Sequence, residues 1–531
     1  MSNRVELMAP APHELVGALE ERFRTLETEF AKAYWDSQID ASPETEERRT
    51  KLELELRRVK GDPDVLQDVQ TALDQELHDP VVHRQLELLR LSLLENQMTE
   101  ESRTEIVELS SAVESDFASF RPVVGGKALS DNDIDDILET SNDPDLRRAA
   151  WEASKEIGGL VADRVRELTR ARNQAAHDAG FADYFRMSLE LQEMSEDWLF
   201  DALGEIETLT EEPFARWKSE LDRSLGARFD TTAIYPWHYA DPFFQTVPRE
   251  AKVSLDEELK GADARELARA TFAGWGIDLS QVLERSDLYP RERKCQSAFC
   301  MDVDRSADVR ILANVVPGER WVEVMLHESG HAAYDVMISP QLPYFLRAAA
   351  HTFVTEAIAL LSGRLLRDPS WLVDLAGVER AHADGIASRL RRSNAAQSLM
   401  FARWVLVMTH FERYLYSDPE GDLDAQWWSL VERFQLVTPP PGRSAPDWAA
   451  KIHVSAAPVY YHNYLLGEVL ASQLTAVIET QCGGLVGVPA AGEMLIERVF
   501  RPGSLLRWDS LIEEALGAPL SPKAFVAGLA L

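Results

Sequence analysis

Residues 327–331 read "HESGH". On a helix, His327 and His331 lie one turn apart and project from the same face. Two imidazoles placed this way can share one Zn2+. Glu328 is rotated by about 100° from His327. That offset keeps its carboxylate off the metal but within reach of a metal-activated water, the position a general base must occupy. The chemistry is hydrolysis of an amide-like bond. The competing reading is a surface helix with two solvated histidines. The flanks "WVEVML" and "AAYDVMI" are apolar. They imply a largely buried helix, where neighbouring imidazoles need partners.

A catalytic zinc takes three protein ligands and keeps one position open. A third histidine at the HExxHxxGxxH spacing is absent, since Tyr334 and Met337 stand at the glycine and histidine places. After His331 the next acidic residues are Asp335 and Glu356. Asp335 lies about 12 Å along the helix from His327, poorly placed as a ligand. Glu356 sits in the apolar helical run "HTFVTEAIALLSGRL". A carboxylate on such a face is costly to bury unless it is paired or metal-bound. Glu356 is therefore the expected third ligand; a salt-bridged core glutamate is the alternative. Glu323 and Asp335 lie one turn before His327 and one turn after His331. Each is placed to accept a hydrogen bond from a ligand imidazole, or to lie at the surface. Zinc follows from the ligand types, although the same triad would accept other divalent ions.

The elements that must hold these groups are mostly helices. "PHELVGALEERFRTLETEFAKAYWD", "DPDVLQDVQTALDQEL" and "DPVVHRQLELLRLSLLENQ" carry apolar residues at helical spacing. Ser130 and Ser141 are expected N-caps. The strand signal is "SAFCMDVDRSADVRILANVVP", two short β-like runs around "DVDRSAD" that predict a hairpin. The proline- and aromatic-rich stretches at 231–250 and 438–448 read as ordered loops. The reading is mainly α with a small β element beside the histidine helix, with no repeat and no flexible linker.

Composition narrows the function classes. The chain has 531 residues, 89 acidic against 55 basic, for a formal charge of −34. That argues against nucleic acid or an anionic membrane as partner. It suits metal cations and basic substrates. The N-terminus "MSNRVELMAPAPHELVGALEERF" lacks the apolar core of a signal peptide, and no run is long enough to span a membrane. Cys295, Cys300 and Cys482 are too few for a disulfide framework and suit a reducing compartment. The expected location is the cytoplasm.

"HESGH" followed by "HTFVTEAIALL" resembles the gluzincin peptidases of the angiotensin-converting-enzyme-like family and, more distantly, thimet oligopeptidase and oligoendopeptidases. "AYWDSQID", "TRARNQAAHDAGFADYFRM", "QSAFCMDVDRSADVRILANV" and "KIHVSAAPVYYHNYLLGE" carry the resemblance over roughly residues 20–525. It implies a two-lobed helical clam with a deep substrate cleft. One catalytic unit would span 1–531, with lid-side helices up to about residue 200 and a catalytic portion from 201. His327, His331 and Glu356 would bind one Zn2+, and Glu328 would be the base and proton shuttle. His453 and Tyr464 would face the scissile carbonyl. A tyrosine hydroxyl, protonated at neutral pH, suits an oxyanion. Lys451, Gln245 and Tyr461 would anchor a substrate's C-terminal carboxylate. Ser297 and Ala298 match an edge strand that pairs with an extended peptide.

The sequence also departs from that pattern. The converting enzymes place an arginine of a chloride site just before the late tyrosine, where this chain has Asn463. They carry an acid four residues after the zinc glutamate, where this chain has Leu360. The function implied is zinc-dependent hydrolysis of short peptides, as an oligopeptidase or a peptidyl-dipeptidase, by a monomer or simple homodimer. A catalytically silent peptide-binding protein and a zinc hydrolase of non-peptide amides are the rival readings.

Overall fold

The computed structural model describes residues 11–248 and 251–529. Residues 1–10, on which part of the reading of the N-terminus rests, lie outside them, as do residues 249–250 of the first loop and residues 530–531. Local sequence explains where many helices begin. Ser42–Pro43, Asp62–Pro63, Asp79–Pro80, Asp143–Pro144 and Asp368–Pro369 each open a helix. In each pair the side chain accepts a backbone N–H of the first turn, and the proline occupies a place where no N–H is needed. Asp143, not Ser141, caps the long helix Pro144–Asp178, because Pro144 fixes its first residue. Ser141 instead ends the preceding helix, Asp131–Thr140, which Ser130 caps as expected.

The architecture is mainly α with two small two-stranded sheets among the described residues. The expected hairpin pairs Phe299–Asp302 with Val309–Leu312, in antiparallel register from Phe299↔Leu312 to Asp302↔Val309. A second hairpin, Val123–Val124 with Lys127–Ala128, turns on Gly125 and Gly126 at φ 59° and 81°. Its strands are too short to leave a period-2 signal. No helix among the described residues is long and apolar enough to cross a membrane.

The chain forms two compact units. The first comprises Met1–Gln97, Leu255–Arg380 and Leu474–Leu520; the second comprises Met98–Ser254, Ala381–Gln473 and Ser521–Leu531. A single cut near residue 200 therefore does not separate them. The reason lies in the first unit's core. Leu15, Leu19, Phe23, Leu86, Leu89 and Leu93 from the N-terminal helices bury themselves with Tyr344 and Phe345, far away in sequence. The second unit has its own core around Leu129, Ile134, Leu138, Trp151 and Trp237. Beside it, the buried Arg147 donates to the carbonyls of Trp237 (2.8 Å) and Tyr239 (2.9 Å), which orders the proline-rich loop.

In the first unit, helix Glu319–Met337 (the histidine helix) packs closely on helix Thr352–Arg364 (the glutamate helix). Gly330 permits this approach. A Cβ there would lie 2.7 Å from Ala359 Cα and 3.0 Å from the Ile358 carbonyl. Gly330→Ala should therefore cost about 1–3 kcal/mol and lower the thermal midpoint. Gly159→Ala is the control, since a Cβ at that helical position meets nothing within 4 Å. It should leave the midpoint unchanged or raise it. Equal midpoints for the two variants would remove the packing role of Gly330.

Candidate active site

In the first unit, the close contact of the two helices brings His327, His331 and Glu356 together. One ligand atom from each lies within 4.8 Å of the others. His327 Nε2 is 3.7 Å from Glu356 Oε2, and the two imidazole rings are 5.0 Å apart. Burial pulls His327 down to about 4 and His331 to about 3, the latter helped by the neighbouring imidazole. Both rings are thus neutral near pH 7, with a lone pair available for a cation. His331 Nδ1 lies 2.7 Å from Thr355 Oγ1. That contact leaves Nε2 as the nitrogen free to ligate. Two neutral imidazoles and one carboxylate, the His327 side chain 28% exposed and that of Glu356 13%, form a partly open N,N,O set that suits zinc.

Glu328 is buried beside this set. Burial and then the Glu356 carboxylate push it up to about 8, while a hydrogen bond from the Cys300 N–H pulls the other way. That shift favours the protonated form of Glu328 near pH 7; the positive charge of a cation held by His327, His331 and Glu356 would favour the ionised form, which is the one able to accept a proton. The Cys300 N–H belongs to strand Phe299–Asp302, so the hairpin does stand beside the histidine helix. Ser297 and Ala298 lie just before that strand and not in it. The ladder pairs begin at Phe299↔Leu312, and neither residue makes a ladder bond among the described residues.

Of the two residues expected to steady the imidazoles, Asp335 is placed differently. Asp335 forms no hydrogen bond with either histidine among the described residues. Its electrostatic neighbour is Asp302, whose charge adds to the burial that pushes Asp335 up to about 8. Thr355, adjacent to Glu356, takes the place beside His331 that Asp335 was expected to fill. The helix–helix register dictates this exchange. Glu323 is exposed on the histidine helix, and its Cγ lies by Gly363 of the glutamate helix.

The second unit gathers most of the remaining residues. Lys451 Nζ donates to Gln245 Oε1 at 2.8 Å. Its ammonium lies 5.3–5.9 Å from the ring centroids of Phe243, Trp404 and Tyr461. Burial lowers Lys451 to about 8, with Asp241 and Asp135 opposing that fall. Asp241 is fully buried and accepts the backbone N–H groups of Phe243, Gln245 and Thr246. It thereby shapes the loop that presents Gln245. The Tyr461 ring lies tilted beside His453 (centroids 5.0 Å apart) and edge-on to Tyr464 (5.7 Å). His453 Nδ1 is buried with no hydrogen-bond partner among the described residues. Thr355, Cys300 and Asp241 were not legible in sequence. Each acts through a backbone group or through a partner distant in sequence, and neither leaves a motif.

Two family models match the chain. One, described as Peptidase family M3, matches residues 282–531. The other, described as Angiotensin-converting enzyme, matches residues 10–214. No curated protein matches the chain. The chain resembles both groups of gluzincin peptidases, and the two matches support a metallopeptidase acting on peptides.

Proposed function

We propose that this protein is a zinc-dependent peptidase of short peptides. The observation that supports it best is the convergence of His327, His331 and Glu356 with a basic, buried Glu328 beside them. His327, His331 and Glu356 would hold the ion. Zinc, when bound, supplies Lewis acidity that acidifies a water and polarises the scissile carbonyl. Glu328 accepts the proton of the attacking water at its carboxylate and returns it to the leaving amine. The Tyr464 hydroxyl and His453 donate to the developing oxyanion. Ser297 and Ala298 offer backbone groups to an extended substrate.

The Lys451–Gln245 pair favours a narrower reading, release of C-terminal dipeptides. A lysine ringed by aromatic side chains and bonded to a neutral amide suits a terminal carboxylate, with Tyr461 alongside. Digestion of peptide mixtures, read by mass spectrometry, tests it. Peptides with a free C-terminus should lose dipeptides in succession. Amidation, or Lys451→Met, should raise KM about 10- to 100-fold, as loss of a charged hydrogen bond would, with little change in kcat. Internal cleavage indifferent to amidation would make the enzyme an oligopeptidase. An undigested mixture, with peptide bound and zinc present, would support a silent binding protein instead.

A further inference from the structure

Residues 452–464 of the second unit carry His453, Tyr461 and Tyr464, and they contain a strained turn. Val459 adopts φ 53°. A β-branched residue in this left-handed region persists only where its surroundings enforce it, and such strain gathers at functional segments. The enforcing groups come from elements distant in sequence. The Val459 N–H donates to the buried Glu412 at 2.8 Å. The Val459 carbonyl accepts from Gln192 Nε2 at 3.2 Å. Arg172, also buried, donates to the Ser455 carbonyl at 2.7 Å.

Gln192 does more than touch Val459. Its Oε1 accepts Asn463 Nδ2 at 2.9 Å and lies 3.0 Å from His462 Nε2. Its Nε2 also donates to the Ser188 carbonyl at 3.0 Å, tying the amide to its own helix, Tyr184–Leu191. One side-chain amide therefore grips the strained residue and the first turn of helix Tyr461–Cys482 together. His462 and Asn463 are each only 1% exposed. On that turn Tyr461 and Tyr464 share a face, while His462 and Asn463 point elsewhere. The grip thus sets the rotation of the turn without occupying the tyrosine face.

We propose that Gln192 is a positioning residue for the reaction: by bridging Val459 to His462 and Asn463, it fixes the direction in which Tyr461 and Tyr464 are presented. This rests on the reading of Tyr464 as an oxyanion donor.

The test compares Gln192→Leu, Gln192→Glu, Tyr464→Phe and the double variant Gln192→Leu/Tyr464→Phe in the full-length zinc enzyme. Gln192→Leu should lower kcat by about 10- to 100-fold, the scale of a small misplacement, and raise KM by a smaller factor through Tyr461, with metal content near wild type. Gln192→Glu, which keeps the acceptor for Asn463, should recover part of the loss. The double variant should be no slower than Tyr464→Phe, because both changes remove one interaction. Deuterium exchange should speed up across 459–464 in Gln192→Leu and not in the metal-binding helices. Wild-type kcat, an additive double variant, or unchanged exchange at 459–464 would each overturn the proposal. Full activity in Tyr464→Phe would bring down the oxyanion assignment instead, with the exchange result still judging the clamp itself.

Discussion

Glu328→Gln should bind zinc as the wild type does and lose peptidase activity by roughly a thousandfold. The substitution is nearly isosteric. The Gln carbonyl can still accept the Cys300 N–H that Glu328 accepts now, so the local fold should survive. It also removes a carboxylate that burial and Glu356 both disfavour, so stability should hold or rise. What is lost is the ability to take a proton. The loss should fall on kcat, with KM little changed, because peptide contacts elsewhere are untouched. Steady-state kinetics beside elemental analysis decides the matter. Near-wild-type kcat with metal bound would remove Glu328 from the chemistry.

His331→Ala should abolish activity by a different route, through loss of the ion. Wild-type protein is expected to carry about one zinc per chain. The variant should carry little and match the activity of enzyme treated with a chelator. Thr355→Val should show a graded version of the same defect. The Thr355 hydroxyl, 2.7 Å from His331 Nδ1, fixes which imidazole nitrogen is free, and losing such a partner typically costs 10- to 100-fold in metal affinity or activity. Metal titration of apo protein would read this directly, and circular dichroism would confirm that the helices persist. His331→Ala retaining stoichiometric zinc would overturn the ligand assignment. Thr355→Val with unchanged affinity would leave the triad intact and remove the threonine's supporting role beside His331.

Much of this protein can be read from local sequence patterns. Helix content was legible because apolar periodicity and Asp–Pro or Ser–Pro starts are local signals, each contained within a few residues. The pairing of His327 with His331 was legible for the same reason, since helical geometry alone places them on one face. Glu356 was legible by elimination, because a lone carboxylate in an apolar run needs a partner. The rest depended on how distant segments pack together. Thr355 replaced Asp335 beside His331 because the register of one helix on another, allowed by Gly330, cannot be read from either helix alone. Cys300 reached Glu328 through a backbone N–H that any residue would supply. The N-terminal helices joined a core with Tyr344 and Phe345, so the division of the chain followed buried apolar contact and not sequence order. Gln192, Glu412 and Arg172 met around Val459 from separate helices. Chain closure over long separations brings such groups together, and no local pattern encodes it.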